Sequence, residues 1–263
     1  MIIAVDIGNS NVVIGVYING QWQHFWRLPT SDTDNSSVFY DVEIRNLLLE
    51  KQVDKKQVEG IILSTVVPGL KSVMCEVLES IFQYEVTIVG PALYDELNYK
   101  VPRPYEIGTD LVANAYSAYR QLQQACIVVD FGTALTFTTV NETGYVLGVA
   151  IAPGIKTAMK ALSSNTAQLP EIPLELPSSV IGMHTTHAMQ AGILWGYVGI
   201  AKELLSRIRM EVGDGYVAIA TGGLSFVMNP LKDLFYKIDP ELTINGLRYM
   251  LEDVHSIRQK QKT

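Results

Sequence analysis

Cysteine, net positive charge and long apolar runs are all scarce in this sequence. Of 263 residues only Cys75 and Cys126 are cysteines, at a spacing that matches neither a disulfide framework nor a metal site. Both lie in apolar surroundings and are expected to be buried free thiols of a reducing cytoplasm. Lys and Arg number 20 against 27 Asp and Glu, a formal charge of −7. That balance argues against non-specific nucleic-acid binding, which needs a basic face for the phosphates. No apolar run approaches the roughly 20 residues of a membrane-spanning helix, so no membrane role is expected. The opening run is strand-like rather than a basic stretch before a long apolar one, and is not read as a leader. His184 and His187 stand three apart with no third ligand beside them, and are read as cap or surface residues rather than a metal pair. Trp22, Trp26 and Trp195 are read as packing.

What the chain does have is 48% hydrophobic residues, enough for a large core, and one unusual device used twice. In "AVDIGNSNVVIGVY" an apolar strand runs into Asp6, then Gly8 and the small polar residues Asn9, Ser10 and Asn11, before the apolar run resumes. "VVDFGTALTFTTV" repeats this around Asp130, Gly132 and Thr133. Each copy is followed by a turn ("NG" at Asn19–Gly20, "NETG" at 141–144) and another strand-like run. Apolar residues at helical spacing (Val38, Val42, Leu47, Leu48) predict a helix from Ser36 to Lys51, and others predict Leu70–Phe82, Lys156–Leu162 and Thr186–Met210. "LPEIPLELP" reads as a connector, exposed or docked on a partner, and "HSIRQKQKT" as a solvated end. The expected fold is α/β and duplicated, with halves 1–122 and 123–263 and a ligand cleft between them.

A turn containing glycine lets backbone N–H groups approach an anion with no Cβ in the way. Ser10 and Thr133 add hydroxyls, and Asn9 and Asn11 add amides. An Asx turn would account for Asp6 alone. The second copy at Asp130 and a further glycine turn, Gly222–Gly223 in "ATGGLS", favour three nucleotide-contacting loops. Carboxylates beside phosphate loops need a cation between, since hard cations take oxygen ligands. Asp110 follows Gly108 at the start of a helix. It is either an N-cap or a general base that accepts an alcohol's proton during phosphoryl transfer.

The ordered set "DIGNSN", "STVVP", "IGTDLVANA", "VVDFGTALTF", "IAPG", "NTAQLP", "SSVIG", "MQAGILWGYVG" and "ATGG" spans nearly the whole chain. It resembles the type III pantothenate kinases of the acetate kinase, sugar kinase, Hsp70 and actin superfamily. The resemblance implies a duplicated ribonuclease H-like (actin-like ATPase) fold. It also implies a cytoplasmic homodimer that phosphorylates pantothenate with Mg-ATP, the first step of coenzyme A synthesis, using potassium or ammonium as monovalent cation. By motif match, Asp6, Ile7, Gly8, Asn9, Ser10, Asn11, Val12 and Val13 hold the ATP phosphates and their metal. Thr133 contacts the nucleotide, Asp130 ligates the monovalent cation and Asp110 accepts the proton. Val101, Gly108, Thr109, Asp110, Leu111 and Thr185 fall on the pantothenate side. Leu111 stands where the family has an arginine beside the substrate carboxylate. Val101 stands where many members have a tyrosine, with Tyr99 two residues earlier. These departures leave two rivals open: a kinase with an altered acceptor, and a non-catalytic nucleotide-binding regulator.

Overall fold

The computed structural model describes all residues except 166–168, 171 and 262–263. Thr166, Ala167 and Gln168 of "NTAQLP" and Glu171 of the proline-rich connector therefore lie outside the described residues. Two compact units form: Met1–Ser117 together with Leu242–Thr263, and Ala118–Glu241.

The first unit opens with β1 (Ile2–Ile7), β2 (Asn11–Ile18) and β3 (Gln21–Pro29). Asn19 (φ 50) and Gly20 (φ 83) close the second hairpin, both left-handed, as an Asn-Gly hairpin turn requires. Then come α1 (Ser36–Glu50), β4 (Gly60–Thr65), α2 (Leu70–Phe82), β5 (Val86–Ile88) and α3 (Pro91–Glu96), before α4 (Thr109–Leu122) begins. The strand order is β3-β2-β1-β4-β5. The first three strands are antiparallel, and β4 and β5 run parallel to β1.

The second unit repeats this wiring with β6 (Cys126–Phe131), β7 (Ala134–Val140) and β8 (Val146–Pro153). After α5 (Ile155–Ser164), α6 (Thr185–Gln190) passes through a π-helical stretch, Ala191–Trp195, into α7 (Gly196–Val212). β9 (Val217–Thr221) and β10 (Lys237–Ile238) complete the sheet in the order β10-β9-β6-β7-β8. The last helix, α8 (Leu242–Lys260), counts with the first unit rather than with the rest of residues 123–263.

β1 is buried on both faces, which is why it reads as a continuous apolar run. Ile3, Val5 and Ile7 pack in a core with Tyr40, Ile44, Met74 and Leu78 from α1 and α2. Ala4, on the other face, packs in a core with Leu247, Met250 and Leu251 of α8.

Three expectations need correction. Helix α1 buries Ser36, Tyr40, Ile44 and Leu48, whereas Val38 and Val42 are 66% and 47% exposed. The i, i+4 stripe facing the sheet thus carries a tyrosine where aliphatic residues were expected. The connector docks on its own unit, with Ile172 buried and Leu174 and Leu176 packed against the second core. The end expected to be solvated is exposed at Ser256 and from Arg258 to Gln261, and it carries α8 on to Lys260, with Arg258 pairing with Glu96 at 2.7 Å. Cys126 is buried, which pushes its thiol up to about 12, but Cys75 is only half-buried; both are free. Among the described residues no helix is long and apolar enough to cross a membrane.

Candidate active site

In the first unit, strand register brings Asp6, the hairpin tip and the start of α4 to one end of the sheet. β1 pairs with β2 as far as Ile7 opposite Val12, leaving Gly8, Asn9, Ser10 and Asn11 as the hairpin tip. The Gly8 N–H closes it on the Asn11 carbonyl at 3.0 Å. Asn9, Ser10 and Asn11 are exposed, whereas Ile7 and Val12 are buried core, so those two can meet a ligand only through backbone. On the other side of β1, Asp6 lies opposite Ser64 and Ile7 opposite Thr65 of β4.

The start of α4 is tied to those same two β4 residues. Thr109 Oγ1 lies 2.9 Å from the buried Ser64 hydroxyl, accepts from the Thr65 N–H at 3.1 Å and donates to the Thr65 carbonyl at 3.1 Å. Its hydroxyl is therefore engaged with β4, and Thr109 fixes where the next residue, Asp110, begins the helix. Ser64 was not legible as part of this site, because only the β1–β4 register reveals its place.

Asp110 is an N-terminal helix carboxylate whose Oδ1 accepts from the Leu111 N–H at 2.8 Å. Burial raises its pKa above the usual carboxylate range, opposed by hydrogen bonds from the Leu111 and Asp110 backbone. The cost of desolvating a charge outweighs those donors. Gly108 leaves the room: a Cβ there would stand 2.5 Å from Asp110 Oδ1. Tyr94, also buried, has a hydroxyl with no hydrogen-bond partner among the described residues. Its own burial and the nearby Asp110 charge raise its pKa. Leu111 is buried and apolar, and Val101 is half-buried against the α8 side of the sheet.

In the second unit, Asp130 occupies the β6 position that Asp6 occupies in β1, opposite Thr136 of β7 and Thr221 of β9. Gly132, Thr133 and Ala134 form a tip one residue shorter, closed by the Gly132 N–H on the Ala134 carbonyl at 3.0 Å. Gly222 follows β9 with φ +92, and a Cβ there would stand 2.7 Å from the Phe131 backbone and overlap the Asp130 carboxylate. Only glycine fits, so the Gly222–Gly223 turn lies directly against the Asp130 strand. Thr185 starts α6, away from these loops in sequence, on the wall of a cavity of about 520 Å³ shared with Leu162, Met183 and Met189. His184 caps that helix, its Nδ1 accepting from the His187 N–H at 3.4 Å. Among the described residues no group of three or more His, Cys, Asp or Glu could hold a metal by itself.

Each unit thus carries a glycine hairpin with a carboxylate near the end of its first strand, and the first unit adds the helix-start carboxylate Asp110, held through Thr109 to β4. A model of the type III pantothenate kinases matches residues 2–207. The chain belongs to the type III pantothenate kinase family. The type III pantothenate kinase of Moorella thermoacetica is 35% identical over 252 residues, 96% of this chain and 99% of that relative. That of Bacillus cytotoxicus is 37% identical over 262 residues, 100% of this chain and 99% of that one. Among solved structures, the activator of 2-hydroxyisocaproyl-CoA dehydratase from Clostridium difficile, with bound ADPNP, superposes with a TM-score of 0.50 at 9% identity. That likeness covers 99% of this chain and 96% of that one, and shows fold alone. This pantothenate kinase family member is thus an α/β protein with two similar halves.

Proposed function

We propose that this chain transfers the γ-phosphoryl group of ATP to the primary hydroxyl of pantothenate in the cytoplasm, giving ADP and 4'-phosphopantothenate. This is the first step of coenzyme A synthesis. The observation that carries the reading is the Asp110 carboxylate, fixed through Thr109 to the strand beside β1 and its glycine hairpin. Family membership supplies the reaction class and the use of ATP with a divalent metal.

As the hydroxyl oxygen attacks the γ-phosphorus and the bond to the ADP oxygen breaks, the hydroxyl proton must leave. Asp110 accepts it. A carboxylate whose pKa is raised by burial is a better base than an exposed one. The Gly8–Asn11 tip, framed by the Ile7, Val12 and Val13 backbone, receives the phosphates. A magnesium ion is held by one or two carboxylates plus phosphate oxygens, which fits a site with Asp6 as its carboxylate. When bound, the ion neutralises charge on the phosphates. In the second unit Asp130 holds potassium or ammonium, and Thr133, Gly222 and Gly223 contact the nucleotide. Val101, Gly108, Thr109, Leu111 and Thr185 receive the acceptor, and the kinase works as a homodimer.

The test is ADP release by the purified protein with Mg-ATP and potassium, with and without pantothenate. Pantothenate-dependent turnover that disappears in Asp110→Asn supports the reading; nucleotide binding without turnover supports a regulator. The buried, apolar Leu111 favours a second reading, an acceptor resembling pantothenate but lacking its carboxylate. Turnover gained only in Leu111→Arg would show that the acid anchor is missing.

A further inference from the structure

Behind each glycine hairpin the third strand of its unit ends in a proline, and around that proline each unit has a tyrosine hydroxyl on the proline carbonyl and a backbone N–H and a threonine hydroxyl donating to the hairpin tip. In the first unit the Tyr40 hydroxyl donates to the Pro29 carbonyl at 3.2 Å and accepts from the Ser31 N–H at 2.8 Å. Between these two anchored residues, Thr30 donates twice to the hairpin tip. Its N–H reaches the Ser10 carbonyl at 3.2 Å, and its hydroxyl reaches the Gly8 carbonyl at 2.7 Å. In the second unit the Tyr197 hydroxyl donates to the Pro153 carbonyl at 2.6 Å. The next residue, Gly154, donates its N–H to the Thr133 carbonyl at 3.0 Å, and the Thr157 hydroxyl donates to that same carbonyl at 2.7 Å. Register makes the correspondence strict, since Pro29 lies opposite Asn11 and Pro153 opposite Ala134, each the last tip residue. Tyr40 and Tyr197 are both buried.

We infer that Thr30, held between residues anchored by Tyr40, and Thr157 are positioning residues that turn the hairpin carbonyls away from the nucleotide so that the tips present N–H groups to it, with Tyr197 fixing the strand end at Pro153. This rests on the reading of the hairpins as nucleotide-binding loops. A carbonyl directed at a phosphate repels it, and in a trans peptide the N–H points opposite the carbonyl of the same plane. Drawing the Gly8 carbonyl onto Thr30 therefore turns the Asn9 N–H the other way. Drawing the Thr133 carbonyl onto Gly154 and Thr157 does the same for Ala134. Small turns of successive N–H groups make anion-binding concavities only when their peptide planes are set in this manner. Tyr40 and Tyr197 hold their protons firmly, since burial raises both phenol pKa values. Each threonine commits its hydroxyl proton to a hairpin carbonyl, so its effect is exerted through the loop.

The experiment compares Thr30→Val, Thr30→Ser, Thr157→Val and Thr157→Ser with wild type, alongside Ser10→Ala and Thr133→Ala, which alter the tips directly. ADP release gives kcat and both KM values, calorimetry gives ATP binding without acceptor, and thermal melts check folding. Each valine variant is expected to raise the KM for ATP roughly three- to tenfold, the equivalent of about one hydrogen bond. The kcat and the KM for pantothenate should stay within about twofold, and serine should restore the ATP value. A lowered melting temperature with unchanged ATP KM and binding would make the threonines merely structural and overturn the inference. Weakened ATP binding in Ser10→Ala and Thr133→Ala but not in the valine variants would overturn it too. If the tip variants leave ATP binding untouched, the hairpin reading itself fails. Should a valine variant not fold, Tyr40→Phe and Tyr197→Phe, which each remove a single hydroxyl, are held to the same ATP criterion.

Discussion

The two hairpins are built alike, yet their backing is distributed differently over the residues. In the first unit one residue, Thr30, supplies both the backbone and the hydroxyl donor. In the second the residue after the proline is Gly154, and the hydroxyl comes from Thr157, three positions on and inside α5. The reason is space. A Cβ on Gly154 would overlap the carbonyl oxygens of both Gly132 and Thr133, because the second tip is one residue shorter and lies closer to the strand end. The first tip, with residues 8–11, leaves room for a side chain. Both tips are thus held by a backbone and a hydroxyl donor, and local crowding sets which residue supplies the hydroxyl. The units also differ in chemistry: among the described residues, only the first has a buried helix-start carboxylate tied to the strand beside its hairpin.

That last difference gives the largest expected effect. Asp110→Asn should lower kcat by roughly 10²–10⁴, the usual contribution of a positioned base, with ATP binding retained. Assays of turnover and calorimetric ATP titration decide this together. Its pH behaviour follows from the raised pKa. With the folded-state value above the unfolded one, the wild-type carboxylate destabilises the fold once pH rises above its folded pKa, and has no such effect below the unfolded one. Asp110→Asn should therefore melt higher than wild type at neutral pH, and the gap should close as pH falls through the carboxylate range. The acid limb of wild-type kcat/KM should likewise sit above that of an ordinary aspartate.

Next in size is Gly154→Ala, expected to destabilise by about 2–4 kcal/mol through backbone overlap, measured by urea unfolding. Thr30→Ala, at the matching place in the roomier unit, should cost about 1 kcal/mol, the value of its lost hydroxyl bond. Equal effects would break the argument from space. The smallest pair compares the phenols. Tyr40→Phe removes two hydrogen bonds and Tyr197→Phe one, so about 2 and about 1 kcal/mol are expected by chemical denaturation.

The features legible in the sequence are those written in local chemistry. Asn19–Gly20 announces its own turn, the strand-ending Asp6 and Asp130 mark both hairpins, and Gly108-Thr109-Asp110 marks the start of α4. The buried face of α1 is different. Val38 and Val42 are more apolar than Tyr40, but the sheet beneath the helix selects the stripe that contains Tyr40, whose hydroxyl meets the Pro29 carbonyl. Thr30, Thr157 and Tyr197 escape a linear reading for the same reason, since each bonds to a carbonyl that only strand register brings within reach. Ser64 waits on the pairing of β4 with β1. The docked connector and the closing helix are legible only once their partners are folded.

The placement of α8 has a consequence for how the molecule comes into being. The second unit is an uninterrupted stretch of chain, whereas the first is split, its opening strands separated from its last helix by the whole of Ala118–Glu241. On the ribosome the later unit is thus the first to have all its parts. Until α8 emerges, Ala4, Ile62, Val112 and Ala113 lack the cover later given by Leu247, Met250 and Leu251. Gly246, whose missing side chain admits the Ala113 backbone, seats that helix on α4, so residues synthesised after the whole second unit complete the support of the helix that carries Asp110. Translation order and assembly order run in opposite directions, and a chain terminated early would keep a finished second unit beside an open first one.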